Sequence, residues 1–317
     1  MGSLGRIAFI GTGAFGVPLL RRIVERGAAD EILVVSQPDR PAGRGMQLRA
    51  SPIAQVGRDH DLRVETPARL RSTEARSLLD DFRPDGLLLV AYGQLVPDEL
   101  LAIAPRQPLN VHPSLLPRHR GAAPVASTIL AGDDEAGITL MVMVPQLDAG
   151  PIVAQWRMPL TGREDAPALR ARLAELAADV VPDELERWAR GEIDPQPQDE
   201  RQATLIRPFT RSAGWIDWHR SAEEVDRQVR ALQPWPGAWT TLDDRRLHIR
   251  RAHPVAGVSD VPIGAILPGL PPRVACGIGA LELEVVQPEG GRPMPADAWR
   301  NGIQRDHILL GAAPPSL

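Results

Sequence analysis

Asn110, His112 and Asp148 are the side chains of this sequence whose types and spacing best suit transfer of an acyl group. Asn110 and His112 are two apart, so an extended segment sends both to one face. Pro113 biases His112 toward that extended geometry. A carboxamide can donate to a carbonyl oxygen as it becomes negative. An imidazole can polarise the same carbonyl or move a proton. Asp148 follows the apolar run "ITLMVMV", in "LDAGP". If the two strand ends adjoin, it can orient His112 or accept a proton. No serine elbow surrounds the triplet and Cys276 is the sole cysteine, far off in sequence. The chemistry that fits is direct transfer to an incoming nucleophile, with satisfied polar turn residues as the alternative.

Two further stretches compete for a ligand. Gly11, Gly13 and Gly16, in "GTGAFG", have the spacing of a dinucleotide fingerprint, and Asp39 stands where a ribose-binding acid would. A nicotinamide-dependent oxidoreductase is therefore one reading. Glycines that let the first helix approach the sheet are another. In "AYGQ", Tyr92 and Gln94 follow an apolar strand and would face the crevice beyond the carboxyl ends of a parallel sheet.

The elements that must position these groups alternate. Apolar runs at "RIAFIG", "EILVVSQ", "GLLLV" and "LNVH" are separated by helical stretches such as "VPLLRRIVERG" and "TEARSLLDDF", with Thr73 as cap. That order predicts a parallel sheet covered on both faces. A helical stretch over "EDAPALRARLAELAADVVPDELERWARGE" is expected in two pieces around Pro182. Composition changes after Gly191, and the polar, proline-containing 191–206 reads as a linker. Beyond it, short strand-like pieces separated by glycine and proline predict a small antiparallel barrel or sandwich. The expected domains are 1–190 and 207–312.

Bulk composition narrows the classes. The chain has 317 residues, enough for two domains. No lysine occurs, so all 36 basic residues are arginine. This excludes lysine Schiff-base chemistry and a P-loop lysine, and leaves rigid guanidinium forks for every cationic contact. The formal net charge is -4, yet residues 201–253 carry ten arginines against six acidic residues, a local +4. A basic second domain suits a nucleic-acid partner, and a solvated arginine surface is the alternative. Trp215 and Trp218 are expected in the core. One cysteine excludes an intrachain disulfide and fits a reducing compartment. No signal-peptide pattern opens the sequence, and no apolar run is long enough to span a bilayer. A cytoplasmic monomer without a metal is expected.

Taken in order, "SQPDRPAGRG", "AYGQ", "NVHPSLLPRHRGAAP", "GDDEAGIT", "LDAG", "GWIDW", "QPWPGAW" and "QPEGGRPMPADAWRNG" resemble the methionyl-tRNA formyltransferase family over nearly the whole chain. The resemblance implies a Rossmann-like formyltransferase domain followed by a smaller β-barrel with an oligonucleotide-binding-like fold. It implies 10-formyltetrahydrofolate as formyl donor and the α-amine of methionyl-initiator tRNA as acceptor. Asn110, His112 and Asp148 match the family's catalytic trio. Tyr92, Gly93, Gln94, Ser114, Leu115, Leu116, Pro117 and Asp148 fall where it binds the folate. Arg40 and Arg44, in "PDRPAGRG", and Arg207 and Arg211 are the expected tRNA contacts. Within the wider class, the amine of a sugar nucleotide is the alternative acceptor. Pro113 and the Gly45-Met46-Gln47 run depart from the family's common pattern.

Overall fold

The computed structural model describes residues 4–42, 46–94, 96–257, 261–305 and 307–311. The chain divides into two compact units: Met1–Pro124 with Glu135–Pro159 and Arg170–Ile206, and Val125–Asp134 with Leu160–Leu169 and Arg207–Leu317. In chain order come β1 (Arg6–Gly11), α1 (Val17–Glu25), β2 (Glu31–Val35), β3 (Arg40–Ala42), β4 (Gln47–Arg49), α2 (Pro52–Asp59), β5 (Arg63–Glu65) and α3 (Thr73–Phe82). Next are β6 (Gly86–Val90), α4 (Asp98–Leu101), β7 (Leu109–His112), β8 (Arg120–Gly121), α5 (Pro124–Ala131), β9 (Glu135–Val142), β10 (Ile152–Pro159), α6 (Ala166–Ala189) and β11 (Leu205–Ile206). The second unit continues with α7 (Ala222–Ala231), β12 (Ala238–Leu242), β13 (Arg245–Val255), β14 (Arg273–Ala275), β15 (Ala280–Pro288), β16 (Met294–Pro295) and α8 (Ala296–Asn301).

The first unit is built on a seven-stranded sheet of order β10-β9-β7-β6-β1-β2-β5. Strands β1, β2 and β6 are buried along nearly their whole length, and successive side chains point to opposite faces of the sheet. Ala8, Ile10, Leu33, Val35, Leu87 and Leu89 form one face, packed with Leu79 and Phe82 of α3. On the other face Gly16 and Gly57 bring the chain close: a methyl on Gly16 would lie 3.1 Å from the side chains of Ile53 and Val90. Five strands are parallel, as predicted, but β9 runs antiparallel to both β7 and β10. The expectation of an all-parallel sheet is corrected on this edge. The "LDAG" turn simply reverses the chain there, with no helical crossover between β9 and β10.

Local signals explain the helices. Ser51 caps α2 by accepting from Ala54 N–H at 3.0 Å, and Pro52 starts it. Ser72, not Thr73, caps α3 by accepting from Ala75 N–H at 3.1 Å. Helix α6 is continuous through Pro182, against the two pieces expected. Leu173, Ala177, Val181 and Leu185 are buried on both sides of the proline, so one apolar stripe carries the helix past it. Residues 191–206 are tied down: Gln196 bridges Ile152, and β11 pairs in parallel with β8.

The second unit holds a five-stranded antiparallel sheet, with β12-β13-β15-β14 in order and β16 on β15. Helix α7 starts with a reciprocal capping box between Ser221 and Glu224. Trp218 is in the core as expected, its indole N–H donating to Thr240 Oγ1 at 3.1 Å. Trp215 is half-buried, edge-on to Trp239 with ring centroids 5.0 Å apart. Among the described residues, no helix is long and apolar enough to cross a membrane.

Candidate active site

Strand β7 lies between β6 and β9, with Asn110 beside Leu89 and Met141 and His112 beside Thr139. His112 is the last residue of the strand and is buried. Its Nε2 lies 3.0 Å from the His119 carbonyl oxygen. A carbonyl only accepts, so Nε2 carries a proton. Nδ1 is thereby turned to Asp148, whose Oδ2 lies 3.6 Å away. That separation is too long for a direct hydrogen bond and short enough for the carboxylate to act on the ring's charge.

Burial holds the His112 imidazole below its ordinary range, and the neighbouring His119 adds to this. The Asp148 carboxylate and the His119 carbonyl pull it back up. Desolvation is the largest effect, so the ring is neutral near pH 7. A neutral ring with Nε2 protonated leaves a bare Nδ1 lone pair facing the carboxylate. Such a pair can take up a proton between its two groups.

Asp148 is held from two sides. Its Oδ2 accepts from Gly121 N–H at 2.8 Å. Its backbone is left-handed, with φ 51°. Gly121 itself has φ 106°, and any side chain there would strike the Ile206 carbonyl. The glycine is thus required where β8 meets β11. Asn110 is half-buried. Among the described residues, nothing hydrogen-bonds its carboxamide, which leaves a donor free beside His112.

The loop that carries these groups is braced by residues the sequence did not single out. Thr139 Oγ1 donates to Ser114 O at 2.7 Å and accepts from Leu116 N–H and Gln155 Nε2 at 3.2 and 2.9 Å. Its hydrogen-bonding capacity is used in full. Gln155 also donates to Leu116 O at 2.9 Å, and Ser114 Oγ to Arg118 O at 2.8 Å. Thr204 Oγ1 accepts from His119 N–H at 2.7 Å. Only their neighbourhood in space marks Thr139, Gln155 and Thr204. Their sequence context is that of ordinary strand and linker.

The other expected positions scatter. The Tyr92 ring sits inside the apolar cluster with Leu79 and Leu100 rather than lining a crevice, and burial raises its phenol. Its carbonyl accepts from Gln37 Nε2 at 2.7 Å. Gln94 accepts from Leu70 N–H at 3.2 Å, while Gly93 is exposed with φ 81°. Ser114 and Leu116 are buried, and Leu115 and Pro117 half-buried. Arg40 is exposed on β3 and its guanidinium donates to Gln37 Oε1. Arg207 and Arg211 are exposed in the second unit. Arg44 lies outside the described residues.

The dinucleotide fingerprint has a packing explanation. A methyl on Gly11 would lie 2.8 Å from the Val90 carbonyl, and Gly16 is wedged between Ile53 and Val90. Asp39 faces the Arg58 guanidinium at 3.4 Å, so its carboxylate already has a cationic partner.

Two family models match the chain: "Formyl transferase" over residues 5–185, and "Formyl transferase, C-terminal domain" over residues 209–304. A methionyl-tRNA formyltransferase from Roseiflexus sp. (strain RS-1) is 42% identical over 301 residues, covering 94% of this chain and 93% of the relative. The chain belongs to the methionyl-tRNA formyltransferase family. Two solved structures share the fold of this formyltransferase. HypX from Aquifex aeolicus, in complex with tetrahydrofolic acid, superposes with a TM-score of 0.62 at 18% identity, covering 96% of this chain; the formyltransferase spans about half of HypX, 50% of that chain. An N-formyltransferase from Helicobacter canadensis, in complex with folinic acid and dTDP-3-aminofucose, gives a TM-score of 0.64 at 13% identity, with 89% and 99% of the two chains covered.

Proposed function

We propose that the chain transfers the formyl group of 10-formyltetrahydrofolate to the α-amine of methionyl-initiator tRNA, and that Asn110, His112 and Asp148 carry the transfer. The observation behind the assignment is the 3.6 Å approach of Asp148 to His112 Nδ1, with Nε2 committed to the His119 carbonyl and the Asn110 carboxamide left without a partner among the described residues.

When bound, the donor supplies the formyl carbon and the folate nitrogen that leaves. Asn110 donates to the formyl oxygen as the amine attacks and the carbonyl electrons move onto that oxygen. Asp148 takes the proton that the amine sheds once its new C–N bond has formed, directly or through water. His112 shares that proton through Nδ1 and keeps the carboxylate aimed. The departing folate nitrogen receives a proton as its C–N bond breaks, so the net proton movement runs from amine to leaving group. The residues fit such a donor. The half-buried Asp148 carboxylate and the bare Nδ1 of the neutral His112 ring offer lone pairs for the amine proton, and the adjoining loop is rigid enough to fix the reacting carbon.

Ser114 to Pro117, Gly93, Gln94 and the backbone at Tyr92 are proposed to contact the folate. Arg40, Arg44, Arg207 and Arg211 are proposed to contact the tRNA. Arg44, between Gly43 and Gly45, would read the acceptor end, since a guanidinium can reach both a phosphate and a base edge. Arg207 makes no ion pair among the described residues, which leaves it for a phosphate. The reaction belongs to the cytoplasm, where charged initiator tRNA is made. The test is formation of formylmethionyl-tRNA from 10-formyltetrahydrofolate and charged initiator tRNA, with charged elongator tRNA and an amino sugar nucleotide as competing acceptors. Preference for the sugar nucleotide would overturn the choice of acceptor.

A further inference from the structure

We propose that Arg120 and Gln198 are positioning residues for the transfer: acting through the backbone of Asp148 and Gly150, they hold the Asp148 carboxylate at its distance from His112. The inference rests on the catalytic roles proposed above. Gln198 Nε2 donates to the carbonyl of Asp148 at 2.8 Å and to that of Gly150 at 2.7 Å. Its Oε1 accepts from Arg120 Nε and Nη2 at 3.0 and 2.7 Å. The carboxamide thus makes four hydrogen bonds, all that it can make.

Arg120 decides which way that carboxamide faces. A guanidinium only donates, so only the oxygen of Gln198 can turn to it, and the amide nitrogen must then point at the two carbonyls. Arg120 is buried, and Glu200 fixes its other edge with two hydrogen bonds of 3.0 and 2.7 Å. The next residue, Gly121, donates its N–H to Asp148 Oδ2. One dipeptide therefore grips the aspartate twice, by its side chain directly and by its backbone through Gln198. The grip suits a residue at φ 51°, because a left-handed backbone persists only where its surroundings over-determine it. A buried arginine serving packing alone would not need to orient an amide against this turn.

The titratable groups facing His112 are Asp148 and His119. If the clamp sets the carboxylate, loosening it should change how His112 titrates. The experiment uses the full chain and Gln198→Met, which keeps the length of the side chain and removes all four hydrogen bonds. Gln198→Glu, which keeps the shape and replaces the donor, covers the case in which the first variant does not fold. His112 titration is read from its imidazole resonances, and folate affinity, thermal midpoint and the pH profile of kcat are measured alongside. The expected result is a fall in kcat of about 10- to 100-fold with folate affinity within about twofold. His112 should titrate about half a unit lower or more, as the carboxylate that favours its charge moves off. A folded variant with parental His112 titration and a parental pH profile would overturn the proposal. Failure of the parent enzyme to form formylmethionyl-tRNA would instead overturn the catalytic reading, which the titration does not depend on.

Discussion

The Asp148 carboxylate faces His112 Nδ1 at 3.6 Å because the other ring nitrogen, Nε2, is already spent on the His119 carbonyl at 3.0 Å. The loop from His112 to Gly121 closes back on the strand that starts it, and this closure aims the ring. A carboxylate and a bare ring nitrogen thereby stand beside a carboxamide that has no partner among the described residues.

Removing the free donor should slow chemistry and spare binding. Asn110→Ala is expected to lower single-turnover formyl transfer by about 100- to 1,000-fold, the cost of losing one oxyanion donor. Folate affinity, measured by equilibrium titration, should stay within about threefold.

Stability should depend on His112 in the acid range. Its folded-state value is depressed below the unfolded value of about 6.5. Between those two values the unfolded chain binds more protons, so stability rises with pH across that window. The contribution is complete above about pH 6.5 and is lost as pH falls through the window. Thermal midpoints between pH 7.5 and 5 should drop less steeply in His112→Gln than in the parent. Parallel curves would show that another group carries the acid sensitivity.

Much of this arrangement was legible in the sequence. The spacing of Asn110 and His112 placed them on one face, but the two strand ends do not adjoin: β9 runs antiparallel to β7 and ends beside Leu109, and the turn after it carries Asp148 back to His112. The candidates Asn110 and His112 come from a short, local pattern that survives in a single sequence. Gln198 and Glu200 were not legible. They sit in "PQPQDE", a polar, proline-containing run with no period, and they act on residues about 50 and 80 positions away. Local composition says linker, and only the fold shows a clamp. Pro182 misled for a related reason: propensity breaks a helix there, while the buried stripe from Leu173 to Leu185 overrides it. The fingerprint glycines had two meanings, and only the distances to Ile53, Val90 and the Val90 carbonyl select packing.

Thr139 offers a stability test of the loop. Thr139→Val keeps its shape and strands Leu116 N–H, Ser114 O and one Gln155 donor in a buried setting. The expected loss is about 1–3 kcal/mol by urea unfolding. A change below about 0.5 kcal/mol would mean that these groups find other partners.

The glycine fingerprint can be tested by overpacking. Gly16→Ala should destabilise the first unit by about 1–3 kcal/mol, because its methyl meets Ile53 and Val90 at 3.1 Å. Nicotinamide dinucleotides should show no saturable binding to the parent enzyme. Saturable binding without any folate binding would revive the oxidoreductase reading.

Transfer from 10-formyltetrahydrofolate to charged initiator tRNA, in single turnover by the parent enzyme and Asp148→Asn, is the most direct test of the mechanism. Asparagine keeps the size of the side chain and removes the group proposed to take the amine proton. The expected result is rapid formylmethionyl-tRNA formation by the parent and a loss of about 100- to 10,000-fold in the variant, with folate affinity retained. Transfer by Asp148→Asn at the parental rate would contradict the proposed role of the Asp148–His112 pair.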